Sequence, residues 1–155
     1  MSPVRVVVAF ENVIGVGMNN RPEIIISSLD VYRIYNLMDA LPANSFTGKE
    51  ELVLELARGK MVAPTDIPPM VVTMNSTIRF CVESPGKNEF VQTLVYRDDD
   101  DASGNKISIL TPVGSALIGL SQGDEIEWPR ADGGLMKVKV MEILYQPERA
   151  GEFQR

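Results

Sequence analysis

Ser108-Ile-Leu-Thr-Pro-Val-Gly-Ser-Ala-Leu-Ile-Gly-Leu-Ser-Gln-Gly-Asp124 places a strand, a corner, a short helix and a tight turn in one order. Ile107 and Ile109 alternate with polar Ser108, as a half-buried strand requires, and Pro112 stops the ladder because it has no N–H. Ala116, Leu117, Ile118 and Leu120 give an apolar helical turn, so the spacing predicts a helix over 115–120. Gly119 and Gly123 close it, and Gly123-Asp124 turns the chain into the strand start Glu125-Ile-Glu-Trp128.

Working outward, apolar runs at 71–73, 77–82, 90–96, 106–110, 125–128 and 136–145 alternate with turn clusters such as Pro85-Gly86 and Asp132-Gly-Gly134. That is the pattern of an antiparallel sheet, and one helix covering a sheet face gives an α+β fold. Phe80, Phe90, Tyr96 and Tyr145 fall on strand positions expected in the core, and Cys81 shares its parity with Arg79 as a structural thiol.

The first third reads differently. Residues 24–26 form a short strand candidate, and Ser27 with Asp30 fits a capping box. Ile34, Leu37, Met38 and Leu41 recur at helical spacing until Pro42. After a loop over 43–48, Thr47 with Glu50 offers a second capping box. Leu52, Val53, Leu56 and Ala57 then form a second stripe, with Gly59 as its C-cap. The expectation is an antiparallel helical hairpin over 18–64, a stiff Pro-rich hinge at 65–69 and a strand-rich domain over 65–155. Residues 1–17 do not read as a signal peptide, since Glu11 and Asn12 break the apolar run it needs, and they are expected to be dispensable because the capping and apolar patterns begin only at Ile24.

Composition limits the chemistry. The 155 residues are 45% hydrophobic, enough for one good core, and the net charge of −6 repels phosphate backbones, so no direct nucleic-acid binding is expected. Arg33, Lys49, Arg58 and Lys60 are interleaved with Asp30, Asp39, Glu50, Glu51 and Glu55, which reads as a solvated face. Histidine is absent, which excludes a Ser-His-Asp triad, a Cys-His dyad and a His-ligated metal. The single cysteine rules out an intramolecular disulfide and fits a cytoplasmic protein. No stretch reaches the ~20 apolar residues of a membrane span. The acidic run at 98–101 begins like a calcium loop, but Leu110 stands where the bidentate Glu belongs, so it reads as a charged hairpin tip.

The order of strand, Pro corner, short helix and Gly-Asp turn resembles the C-terminal domain of the GreA/GreB transcript-cleavage factors. Pro69-Met-Val-Val-Thr-Met-Asn-Ser76, Thr93-Leu-Val-Tyr96 and Glu142-Ile-Leu-Tyr-Gln-Pro-Glu148 are similar to the Rnk family, the regulators of nucleoside diphosphate kinase. The resemblance spans about 18–151, and Met18-Asn-Asn-Arg-Pro-Glu-Ile-Ile-Ile-Ser27 resembles the family's own start, which implies that residues 1–17 are a non-native or upstream extension. It implies a short N-terminal hairpin, an FKBP-like C-terminal domain and binding to RNA polymerase at the rim of its secondary channel. It also implies docking through the corner Thr111, Pro112, Val113, Gly114 and Ser115.

The hairpin tip would comprise Asp39, Asn44, Ser45, Glu50 and Glu51. Gre factors carry paired carboxylates there to chelate magnesium, whereas the loop at 42–48 has none. At 1.5 Å per residue, a dozen residues give a probe of only ~18–20 Å. The expectation is a monomeric, non-enzymatic regulator without catalytic residues, metal or cofactor, acting by occupancy in competition with Gre factors. The alternatives are an FKBP-like prolyl isomerase, a magnesium-dependent cleavage factor using Asp39 with Glu50 or Glu51, and a direct binding partner of nucleoside diphosphate kinase.

Overall fold

The computed structural model describes residues 21–42, 46, 48–97, 103–130 and 132–154. Residues 1–17, Asn44, Ser45, Thr47 and the acidic run at 98–101 lie outside that set. Strand β1 (Ile25–Ser27) leads into helix α1 (Ser28–Ala40), then α2 (Lys49–Arg58) and β2 (Lys60–Val62). β1 and β2 pair in parallel, Ile26 beside Met61, so the two helices form the crossover between them. Parallel neighbours require such a crossover.

Ser27 caps α1, its hydroxyl accepting from the Leu29 and Asp30 N–H groups at 3.1 and 3.4 Å. The expected capping box is not completed. Asp30 is buried, and its carboxylate accepts instead from the Met74 N–H at 3.1 Å and the Tyr96 hydroxyl at 3.4 Å. Ile34 and Met38 of the first stripe and Leu52 and Leu56 of the second are buried, but Ala57 is exposed. The second helix is capped by Gly48 without a side-chain bond, and Gly59 ends it as expected.

The expected hinge is tethered. Residues 64–66 form a 3-10 turn, Gln146 Nε2 donates to the Pro68 carbonyl at 2.8 Å, and Arg149 Nη1 donates to that of Pro69 at 3.3 Å. The run at 71–73 contributes a single antiparallel bridge, Val71 to Ser121, and no full strand.

The main sheet comprises β3 (Thr77–Glu83), β4 (Lys87–Val95), β5 (Lys106–Ser108), β6 (Glu125–Pro129) and β7 (Leu135–Tyr145), in the order β5-β4-β3-β7-β6. β3–β4, β3–β7 and β6–β7 are antiparallel, as expected. β4–β5 is parallel, which corrects the all-antiparallel expectation. In that pair Lys106 lies beside Thr93 and Ser108 beside Val95. β4 and β5, the strands on either side of the acidic run, therefore do not form a β-hairpin.

Helix α3 spans Pro112–Leu117, three residues earlier than the spacing predicts, because Thr111 supplies the N-cap and Pro112 occupies the first turn. Ala116, Leu117, Ile118 and Leu120 are all fully buried and join Ile78, Phe80, Leu94, Trp128, Val138 and Val140 of the sheet in one core. Ile34, Met38, Leu52 and Leu56 belong to the same cluster, so both helices are folded onto the body. Phe90 departs from the core expectation: it is 39% exposed, stacked on Phe80 with centroids 5.5 Å apart. Gly119 is required where it stands. Its φ is +83°, and an added Cβ would lie 2.8 Å from Ile24 Cβ. At this position β1 is held to the turn after α3 by the Ile25 N–H on the Gly119 carbonyl at 3.2 Å.

Candidate functional site

The corner after β5 is built by three hydroxyls. Thr111 Oγ1 donates to the Ser108 carbonyl at 2.7 Å and accepts from the Gly114 N–H at 3.0 Å. Ser108 Oγ donates to the Tyr96 carbonyl, and Ser115 Oγ to that of Ile109. A Cβ on Gly114 would collide with the Ser108 carbonyl oxygen, so glycine lets α3 start this close to β5. Gly114 and Ser115 are buried, and Thr111, Pro112 and Val113 are half-buried. Within the five-residue corner, the first three carry the accessible side-chain surface.

Pro112 and Ser115 also line a cleft of about 120 Å³ with Gly48 and Glu51 from the start of α2 and Trp128, Pro129 and Arg130 from the end of β6. The fold thus brings Glu51 of the expected hairpin tip to the C-terminal corner. Asp39 and Glu50 are exposed and do not line it. Among the described residues, no group of three or more Asp, Glu or Cys side chains is placed to hold a metal ion.

Trp128, Pro129 and Arg130 were not expected at a site. The only local signal is a Trp-Pro pair at a strand end followed by a cation. Arg130 is fixed by Nη1 on Ser84 Oγ at 2.8 Å and Nε on Asp132 Oδ1 at 2.9 Å. The Gly134 N–H, and then Arg130, hold the Asp132 carboxyl below the usual carboxylate range.

Behind the cleft lies a charge cluster that corrects the reading of a solvated face. The Glu55 side chain is fully buried, bonded to Arg58 at 2.8 and 2.7 Å and to Arg21 at 3.1 Å. Arg21 lies 4.7 Å from the Trp128 ring centroid and donates to the Glu127 carbonyl at 3.2 Å. Arg58 also donates to the Pro22 carbonyl at 2.7 Å. Burial lowers the Arg21 pKa, opposed by Glu55. Through these contacts α2 is pinned to β6 and to the segment entering β1, which fixes Glu51 relative to Trp128 and Pro129.

Three comparisons bear on the chain. Residues 67–145 match the family model described as "Transcription elongation factor, GreA/GreB, C-term", and residues 22–62 match "Rnk N-terminus". The "Regulator of nucleoside diphosphate kinase" of Escherichia coli K12 is 40% identical over 134 residues, covering 86% of this chain and 98% of that protein. The "Transcription elongation factor GreA" of Helicobacter hepaticus is 31% identical over 96 residues, 62% of this chain and 58% of that protein. Among solved structures, "Prokaryotic transcription elongation factor GreA/GreB from Nitrosomonas europaea" is 57% identical with a TM-score of 0.61, covering 81% of this chain and 100% of that one.

Proposed function

This chain belongs to the GreA/GreB transcription elongation factor family, in the branch with an Rnk-type N-terminus, and we propose that it is a non-enzymatic regulator that docks on RNA polymerase at the secondary-channel rim. The observation that carries the reading is the shared cleft. It joins the Pro112 corner of the Gre-type part to the first turn of α2 in the Rnk-type part. A partner seated on the corner therefore meets Glu51 and Arg130 together.

Transcript cleavage is not part of the proposal. The loop at 42–48 contains no carboxylate, and Glu50 lies in the first turn of α2, where the helix dipole accounts for it. α1 and α2, with 13 and 10 residues, reach about 20 and 15 Å at 1.5 Å per residue. Their apolar faces are committed to the core, so they lie against the C-terminal domain, which we read as FKBP-like, and do not extend as a long probe. Regulation then works by occupancy, in competition with Gre factors for one rim.

The test is immobilised core polymerase, challenged with a Gre factor and paired with a backtracked elongation complex. Retention on polymerase, displacement by the Gre factor and no transcript shortening are expected. Failure to be retained overturns the docking reading, and magnesium-dependent shortening overturns the non-enzymatic one.

A further inference from the structure

Among the described residues, β4 is paired along only the last part of its outer side. It runs Lys87–Val95, but β5 pairs with Thr93–Val95 alone and Gln92 Nε2 donates to the Gly104 carbonyl at 2.8 Å, so 87–91 have no paired strand along that edge among the described residues. Residues 87–91 are all exposed, with Phe90 39% and Val91 48% accessible. The register between β3 and β4 is unbroken, and no proline interrupts the open half. An edge that long and regular is a template for an added strand unless something blocks it.

The geometry fixes which groups an added strand would meet. The Thr93 N–H points outward, since it donates to the Asn105 carbonyl at 2.8 Å on the β5 side. Strand alternation then turns the backbone groups of Lys87, Glu89 and Val91 outward as well. An antiparallel partner made from a second copy of this edge can pair outward-facing residues only with outward-facing ones. Centring on Glu89 sets carboxylate against carboxylate, and centring on Lys87 sets ammonium against ammonium. A centre at Phe90 requires Thr93, whose N–H is taken. A centre at Asn88 puts each Lys87 opposite the other copy's Glu89, where both can exchange their backbone hydrogen bonds. It also puts Phe90 opposite Gly86, beside which an added Cβ would meet nothing within 4 Å.

We propose that this edge is a homotypic docking surface, on which two copies of the chain pair β4 to β4 antiparallel about Asn88. The occupant is a second copy because the charges are self-complementary in that register, and opposite charges on facing residues stabilise a strand pair while like charges oppose it. Glu89 is shared with Arg79, whose Nη1 lies 3.4 Å away, so Arg79 adds positive charge on the same face. A ladder this short buries less than the ~1,200–2,000 Å² of a stable specific interface, which makes the dimer weak and concentration-dependent. Such pairing departs from the monomer expected from the sequence and leaves the Pro112 cleft out of the interface.

The test is sedimentation equilibrium of the full chain from about 10 µM to about 1 mM at low salt, a range matched to a weak interface. The parent chain should dimerise towards the upper end. E89K and K87E should each remain monomeric at every concentration, with unchanged circular dichroism, because each sets like charges opposite one another. Their equimolar mixture should dimerise again, since E89K carries two ammonium groups on this edge and K87E two carboxylates, and every facing pair is then of opposite charge. A parent chain that stays monomeric throughout, single variants that dimerise like the parent, or a mixture that fails to recover association overturns the proposal. None of these outcomes depends on polymerase binding.

Discussion

The Asp30 carboxylate accepts the Met74 N–H at 3.1 Å across 44 residues of sequence, and its other oxygen accepts the Tyr96 hydroxyl. This tie joins the start of α1 to the loop before β3 and to the end of β4. Alongside it, Thr73 Oγ1 donates to Glu148 at 2.8 Å and shares a bond with Ser76. Burial, against the help of Met74, raises the Asp30 pKa to about 7, with the Glu148 charge adding to the rise.

Because the folded-state value lies above the unfolded one, the native chain holds a proton on Asp30 that the unfolded chain releases. The resulting stability is fully present below about pH 4 and is lost as pH rises to about 7. Asp30→Asn keeps an acceptor for Met74 and a polar group for Tyr96 without the charge. Urea titrations at pH 5 and pH 8 should show the variant gaining on the parent at the higher pH, by an amount on the order of a few kcal/mol. An unchanged difference between the two pH values would contradict an Asp30 titration coupled to folding.

Glu55 supports two guanidinium groups from within the core, and removing it strands both. Glu55→Ala should cost about 3–5 kcal/mol in equilibrium unfolding, in the range for breaking a buried ion pair. Glu50→Ala, five residues earlier and exposed, should stay within about 0.5 kcal/mol of the parent. Equal effects would mean that the Arg21–Glu55–Arg58 cluster does not anchor α2.

Gly114 and Pro112 separate fold from surface. Gly114→Ala drives a methyl group into the Ser108 carbonyl and should lower stability by about 2 kcal/mol or more. Pro112→Ala removes no core contact and should change stability by less than about 1 kcal/mol. Thermal melts of the two variants decide whether α3 is set this closely against β5.

Much of 106–128 was legible because its determinants are local. Gly119 and Gly123 take the positive φ their positions demand, whereas the helix was expected three residues late because Thr111, its cap, and Pro112, in its first turn, read as a strand-ending corner. The Rnk and GreA/GreB resemblance was legible for the same reason, since its motifs are contiguous. What escaped depends on distant partners. Glu55 looked like a surface acid until Arg21, 34 residues away, closed over it. Asp30 looked like a capping residue, and its actual partner comes from a separate loop. The parallel pairing of β4 with β5 leaves no mark on alternation, because both directions bury every second side chain. The cleft was half legible: Pro112, Ser115 and Glu51 were singled out, whereas Trp128, Pro129 and Arg130 join them only through the sheet order.

Docking at the corner can be tested without disturbing the fold if the right residue is changed. Thr111 is a poor probe, because its hydroxyl both caps α3 and holds Ser108, so Thr111→Val should cost about 1 kcal/mol of stability by itself. Pro112 is half-buried, lines the cleft and makes no side-chain hydrogen bond. Pro112→Glu keeps a residue tolerated in the first helical turn, where a carboxylate is favoured, yet puts a charge that must be desolvated into the contact. The variant should melt like the parent while binding to core polymerase falls at least ~10-fold, as expected when an interface residue worth more than ~1.4 kcal/mol is lost. Arg130→Ala should weaken binding in the same assay, since its guanidinium is held at the cleft rim by Ser84 and Asp132. Asp39→Asn, on the exposed last turn of α1 and outside the cleft, should bind as the parent does. If Asp39→Asn weakens binding and Pro112→Glu does not, the contact belongs to the end of α1 and the corner serves only to start α3.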